Sequence, residues 1–205
     1  MKRTVLILGI SLLIGIGLSI LYVQVIALDE TTSYDGSQAP PDALQGSITH
    51  MDGVVLWQSR TATEAAELGG STPIQQGESI ETGEDGEVTI LFDEDTLIDI
   101  FSESSVSFTQ TLPANIVITH RRGEVEYSQE TATIPLSIRV GHLLVKLNDG
   151  TISITLIEES DVTVRVIEGS ATAVYNDLEY ETNYEELDEG ESFFYDDISR
   201  ESELL

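Results

Sequence analysis

Between Pro73 and Phe108 the chain reads PIQQGESIETGEDGEVTILFDEDTLIDIFSESSVSF, short apolar–polar alternations cut by glycine and acidic turns. A period of two sends successive side chains to opposite faces of a strand, so each segment has one face built for burial. In Glu87–Asp93 that face is Val88, Ile90 and Phe92. Leu136, Ile138 and Val140 repeat the pattern, as do Ile152, Ile154 and Leu156, and then Val162, Val164 and Val166. Gly83 and Gly86, Asp93-Glu94-Asp95, Gly123, Gly141, Asn148-Asp149-Gly150, Gly169 and Gly190 read as the turns between strands. Past residue 28 only Ala62–Leu68 (ATEAAEL) collects helix formers, enough for one or two turns or a loop. The predicted domain is all-β, with about ten to twelve short strands in a sandwich, barrel or β-helix.

Ahead of this domain, Val5 to Ala27 is almost uninterrupted apolar sequence. At about 1.5 Å per residue a helix of that length crosses a ~30 Å hydrocarbon core. Lys2 and Arg3 precede the run and the next base is Arg60, which orients the N-terminus to the cytoplasm and the rest outside. The expected order is a cytoplasmic stub (1–3), a transmembrane helix (4–28), a flexible linker with Pro40-Pro41 (29–45), the β domain (46–195) and a frayed acidic tail (196–205). The competing reading is a signal peptide cleaved after Val25-Ile26-Ala27, but the run exceeds the roughly 7–15 residues of a signal core. Both readings export the same domain. Ser11, Gly15 and Ser19 share one helix face at small-residue spacing, which permits a homodimer through the membrane.

Charge narrows the partners. The chain holds 9 Lys and Arg against 37 Asp and Glu, for a net charge of −28. Lys2 and Arg3 precede every acid, so the remaining 7 bases face all 37 acids, a net of 7 − 37 = −30. Such a domain repels phosphate backbones, and nucleic acid is excluded as a partner. There is no cysteine, which removes disulfides, thiolate metal sites, a cysteine nucleophile and a cysteine-linked lipid.

Catalytic motifs are absent from the sequence: there is no phosphate-cradling loop, dinucleotide fingerprint or nucleophile elbow. His50, His120 and His142 lack metal-ligand spacing and read as isolated surface or edge histidines. Trp57 reads as a core residue rather than a sugar platform. No cofactor is implied, with one exception to weigh. Asp93, Asp95 and Asp99 could chelate Ca²⁺ through oxygen, although they lack the D-x-D-x-D-G loop with its distal Glu. A charged, solvated turn is the preferred reading there, and for the acids between Glu185 and Glu191.

The order of elements carries a resemblance. A strand opens at Gly46, followed by Gly77, Thr82-Gly83, the acidic turn Asp93-Glu94-Asp95-Thr96, Ser104-Ser105-Val106 and Gly123-Glu124-Val125. Gly150-Thr151, Val166-Ile167-Glu168-Gly169 and Gly190-Glu191 complete it. This succession resembles the extracytoplasmic sensory domain of the FecR family, with Glu94 where that family carries a turn glycine. The resemblance implies a twisted, β-helix-like roll and a binding or signalling role without chemistry. Only Met1, Lys2 and Arg3 precede the apolar run, so the family's cytosolic anti-sigma segment is not expected here. The leading expectation is a membrane-anchored module of a bacterial envelope, not an enzyme, that binds an envelope protein or a cell-surface polymer. The alternatives are an envelope hydrolase using surface carboxylates and a secreted Ca-binding domain.

Overall fold

The alternating segments become strands whose apolar faces are buried together. The fold is seen in a computed structural model that describes residues 37–131, 133–158 and 160–205. The apolar run, its cleavage site and the Ser11, Gly15 and Ser19 face lie outside these residues. The described chain is all-β, with fourteen strands and no helix. They are β1 (Gly46–Asp52), β2 (Val55–Gln58), β3 (Ala66–Glu67), β4 (Ser79–Thr82), β5 (Glu87–Phe92), β6 (Thr96–Ile100) and β7 (Ser105–Leu112). Then follow β8 (Asn115–Gln129), β9 (Leu136–Val140), β10 (Leu143–Ile157), β11 (Asp161–Asn176), β12 (Thr182–Asp188), β13 (Ser192–Asp196) and β14 (Ser202–Leu204). The Ala62–Leu68 segment supplies the two-residue strand β3 instead of a helical turn.

All fourteen strands join one sheet, and every ladder is antiparallel except β8–β9. A β-helix stacks parallel strands, so the ladders here differ from a regular β-helix. Three long strands divide the sheet into two halves. The first half runs β12–β11–β10–β9–β8–β7–β4–β2–β3 and uses the early part of β8 and β10 and the late part of β11. The second runs β14–β13–β11–β10–β8–β6–β5–β1 and uses their other parts. Aromatic side chains meet from the two halves. Phe92 of β5 lies 5.2 Å from Phe108 of β7 between ring centroids, and Tyr175 of β11 lies 5.1 Å from Tyr195 of β13.

Gly123, Gly150 and Gly169, expected as turns between strands, instead lie inside β8, β10 and β11. Each strand changes half-sheet there, and each changes burial phase. The last buried residue before the bend and the first after it are His120 and Val125, Leu147 and Ile152, and Val166 and Ala171. The separation is five residues in each strand. An odd step turns the alternation over, as an extra residue does in a β-bulge. The glycines absorb it with φ of 81°, 88° and 78°. Gly150 and Gly169 pair directly, and a Cβ on either would stand 2.1–2.2 Å from the opposing carbonyl oxygen. Gly123 is pressed on Ser104, whose Oγ accepts from Glu124 N at 2.9 Å. Three of the glycines that carried the family resemblance, Gly123, Gly150 and Gly169, are therefore hinges of the sheet.

Two ends differ from expectation. Residues 37–45, read as part of a loose linker, lie against the domain: Leu44 N donates to Thr111 O at 2.6 Å and Leu44 packs on the core. The tail, read as frayed, supplies β14, which pairs with β13 from Phe193↔Leu204 to Tyr195↔Ser202.

Candidate binding surface

The inward positions of both half-sheets form the core, so recognition falls to the two outer faces and the turns that rim them. Across the outer face of the first half runs an unbroken ladder row: Gln58, Ser79, Ser107, Thr119, Arg139, Leu144, Val174 and Tyr184. It crosses eight strands without a carboxylate. The equivalent row on the second half is His50, Thr89, Asp99, Glu126, Ser153, Arg165 and Ser192. Here Asp99 and Glu126 stand directly opposite each other. Partial burial and then the Asp99 and Glu124 charges raise the Glu126 pKa above its usual value. Thr89 Oγ1 donates to Asp99 Oδ1 at 2.5 Å, and Ser153 Oγ donates to Glu124 Oε1 at 3.2 Å.

The calcium candidates are not brought together. Asp93, with φ of 56°, and Asp95 occupy the β5–β6 turn, whereas Asp99 lies four residues beyond Asp95 along β6. At about 3.3 Å per residue that is roughly 13 Å. Asp95 Oδ2 accepts hydrogen bonds from Thr131 and Thr133 instead. Among the described residues no group of three or more His, Asp and Glu converges as a metal site would.

The histidines divide. His50 is exposed on β1, and His142 is exposed on the β9–β10 turn, its Nδ1 3.1 Å from Asp197 Oδ1. His120 corrects the surface expectation: it is buried on β8. Its Nε2 lies 3.0 Å from Gly123 O and its Nδ1 3.3 Å from Tyr127 OH. The carbonyl can only accept, so Nε2 carries the proton and Nδ1 accepts from the phenol. Burial lowers its pKa to about 4. Trp57, expected in the core, is only half-buried, packs against the core and donates Nε1–H to Glu78 Oε2 at 3.0 Å.

Several grooves open on this surface, and two of them gather charged side chains from distant strands. One, of about 580 Å³, lies where the β4–β5 and β6–β7 turns meet the bend of β8, and is rimmed by Glu81, Glu84, Glu103, Glu124 and Glu158. Arg122 crosses it, donating Nη2–H to Glu81 Oε1 at 2.7 Å and Nε–H to Glu103 O. The other, of about 410 Å³, lies beside the β9–β10 turn and is lined by Arg139, His142 and Arg200 over Val117, Leu143 and Leu144. Neither groove was foreseen. Their residues come from distant segments, and only the strand pairing brings them together.

The fold has solved counterparts. Two crystal structures of a putative anti-sigma factor from Parabacteroides distasonis ATCC 8503, at 2.50 and 1.65 Å resolution, superpose with a TM-score of 0.53 each. Identities are 13% and 12%, over 62% of this chain and 58% of theirs, so the chain spans little more than half the length of those proteins. The likeness is one of fold. No protein-family model matches the sequence, and comparison with characterised proteins finds no match.

Proposed function

We propose that the chain is a membrane-anchored FecR-like module of a bacterial envelope, whose extracytoplasmic β domain binds an envelope protein or a cell-surface polymer and so receives a signal. The observation that carries this reading is the fold shared with the putative anti-sigma factor from Parabacteroides distasonis. The hinge glycines of this chain, Gly123, Gly150 and Gly169, are also residues of the FecR-like pattern. The apolar run at Val5–Ala27 supports an anchor, and Lys2 and Arg3 support an external domain. The charge layout suits recognition: one row across the first outer face carries no carboxylate, whereas the matching row on the other sets Asp99 against Glu126.

Fractionation with protease shaving tests the topology. The expected result is an intact N-terminus in the membrane fraction and cleavage beyond Asp29 from outside; a mature N-terminus at Leu28 overturns the anchor. Cross-linking in native membranes, from probes placed at Leu144 and at Ser153, tests binding. A specific adduct from one face supports a receiving module, and none from either face overturns it.

A further inference from the structure

The groove beside the β9–β10 turn is out of character for so acidic a chain. Two of its seven arginines, Arg139 and Arg200, line it with His142, and no carboxylate does. Neither arginine is in an ion pair with a described residue, although Asp177, its pKa lowered chiefly by the hydrogen bond from Glu181 N, also feels the Arg200 charge. Among the described residues no carboxylate lies within 4.0 Å of either guanidinium. Arg139 Nε donates only a long bond, 3.4 Å, to Gly141 O. Arg200 Nη1 donates to two carbonyls, Asn176 O and Asp177 O, at 3.3 Å each. The nearby acids are engaged elsewhere. Asp197 Oδ1 accepts from His142 N at 2.7 Å and faces the ring Nδ1, so it holds the turn and fixes the imidazole. Asp177 closes its own loop by accepting from Glu179 N and Glu181 N at 2.9 Å.

The groove is not purely polar. Leu144 is 39% exposed, a large apolar side chain left in solvent next to Arg139, its ladder partner. Val117, half-buried, adds to the same floor. A ligand matching this arrangement carries one planar anionic end and one apolar end. Guanidinium forks suit a carboxylate, which two parallel N–H donors can grip. An inorganic anion or a phosphate polymer would leave the apolar floor wet.

We propose that this groove is a binding site for an organic carboxylate, its anionic end held between Arg139 and Arg200 and its apolar end laid on Leu144 and Val117. The inference rests on the binding-module reading above and names the chemistry that one of its surfaces takes. The carboxylate can belong to the end of a peptide chain or to a free small acid.

The test uses the full chain in lipid nanodiscs, followed by methyl NMR of Val117 and Leu144. Three probes are titrated: N-acetyl-leucine for a peptide end, 4-methylpentanoate for a free acid, and N-acetyl-leucinamide, which lacks the charge. Saturable shifts with N-acetyl-leucine alone support the site and assign it to a peptide end; saturation by both acids supports it and assigns it to small acids. Arg139→Gln and Arg200→Gln should each weaken binding about ten-fold or more, as loss of a charged hydrogen bond does. Arg165→Gln, on the opposite face, should leave it unchanged. Equal binding of the amide, no saturation with either acid, or indifference to both groove variants overturns the proposal. An adduct in the cross-linking experiment alongside such a negative titration would retain the binding module and discard this groove.

Discussion

A single buried imidazole contributes to the acid response. His120 is neutral in the fold, with its pKa lowered to about 4 by burial, whereas an unfolded histidine titrates near 6.5. The unfolded chain therefore takes up a proton first as pH falls, and stability drains away between about 6.5 and 4. The full difference corresponds to about 3 kcal/mol. Denaturant midpoints at pH 7, 5.5 and 4.5 should fall more steeply in the wild type than in His120→Gln; parallel curves would assign the acid sensitivity elsewhere. Glu126 works in the opposite sense. Its pKa is raised in the fold by burial and by Asp99 and Glu124, so its ionised form is disfavoured at neutral pH and the penalty fades as pH falls below the carboxylate range. Like charges directly opposite in a ladder cost a few tenths to about 1 kcal/mol. Glu126→Gln should raise the melting temperature at pH 7 and lose that advantage below pH 4; a lowered melting temperature at pH 7 would show that the carboxylate is stabilising.

At the scale of elements, the three long strands hold the molecule together, because each belongs to both half-sheets. Their bends depend on backbone conformations that a side chain resists. At Gly150, φ is 88° and a Cβ would meet Glu168 O at 2.1 Å. Gly150→Ala should therefore destabilise by roughly 2–3 kcal/mol, combining left-handed strain with displacement of the paired strand. Gly70→Ala is the control, since nothing lies within 4 Å of a Cβ there and its φ is not positive. Urea denaturation of the two variants measures the contrast. Equal midpoints would mean that the β10–β11 bend relaxes at no cost.

Over the whole molecule the dominant long-range term is self-repulsion of an acidic surface. The Debye length shrinks from about 10 Å at 0.1 M salt to about 3 Å at 1 M, so screening should stabilise the fold. We expect the melting temperature to climb smoothly with NaCl. Because Asp93 and Asp95 sit in a turn and Asp99 lies along β6, MgCl₂ and CaCl₂ should give the same curve as NaCl at matched ionic strength. A calcium increment beyond that curve, lost in the Asp93→Asn, Asp95→Asn double variant, would show that the turn rearranges around the ion.

The apolar alternation marked the buried face of most strands before any pairing was known. Val88, Ile90 and Phe92, then Leu136, Ile138 and Val140, Ile152, Ile154 and Leu156, and Val162, Val164 and Val166 occupy alternate positions in the chain and are all buried in the fold. Period two is a local property of the extended backbone, so no tertiary knowledge is needed to read it. The glycine positions were equally legible, but not their purpose. A glycine at a hairpin and a glycine at a bend inside one strand look alike in sequence, because both answer to a positive φ. Only the pairing of Gly150 with Gly169, and the seating of Gly123 on Ser104, made them hinges. Burial of His120 was hidden for a related reason: its neighbours Tyr127 and Gly123 surround it only once β8 bends back on itself. Charge neighbours were decided last. Asp99 looked toward Asp93 and Asp95 in the sequence, yet strand register set it against Glu126; the same register placed Arg139 beside Leu144, and packing of the β13–β14 turn brought Arg200 to the same groove. Side chains four apart on a strand share a face but stand roughly 13 Å apart, whereas those on paired strands sit about 5 Å apart, so the surface chemistry belonged to the tertiary structure alone.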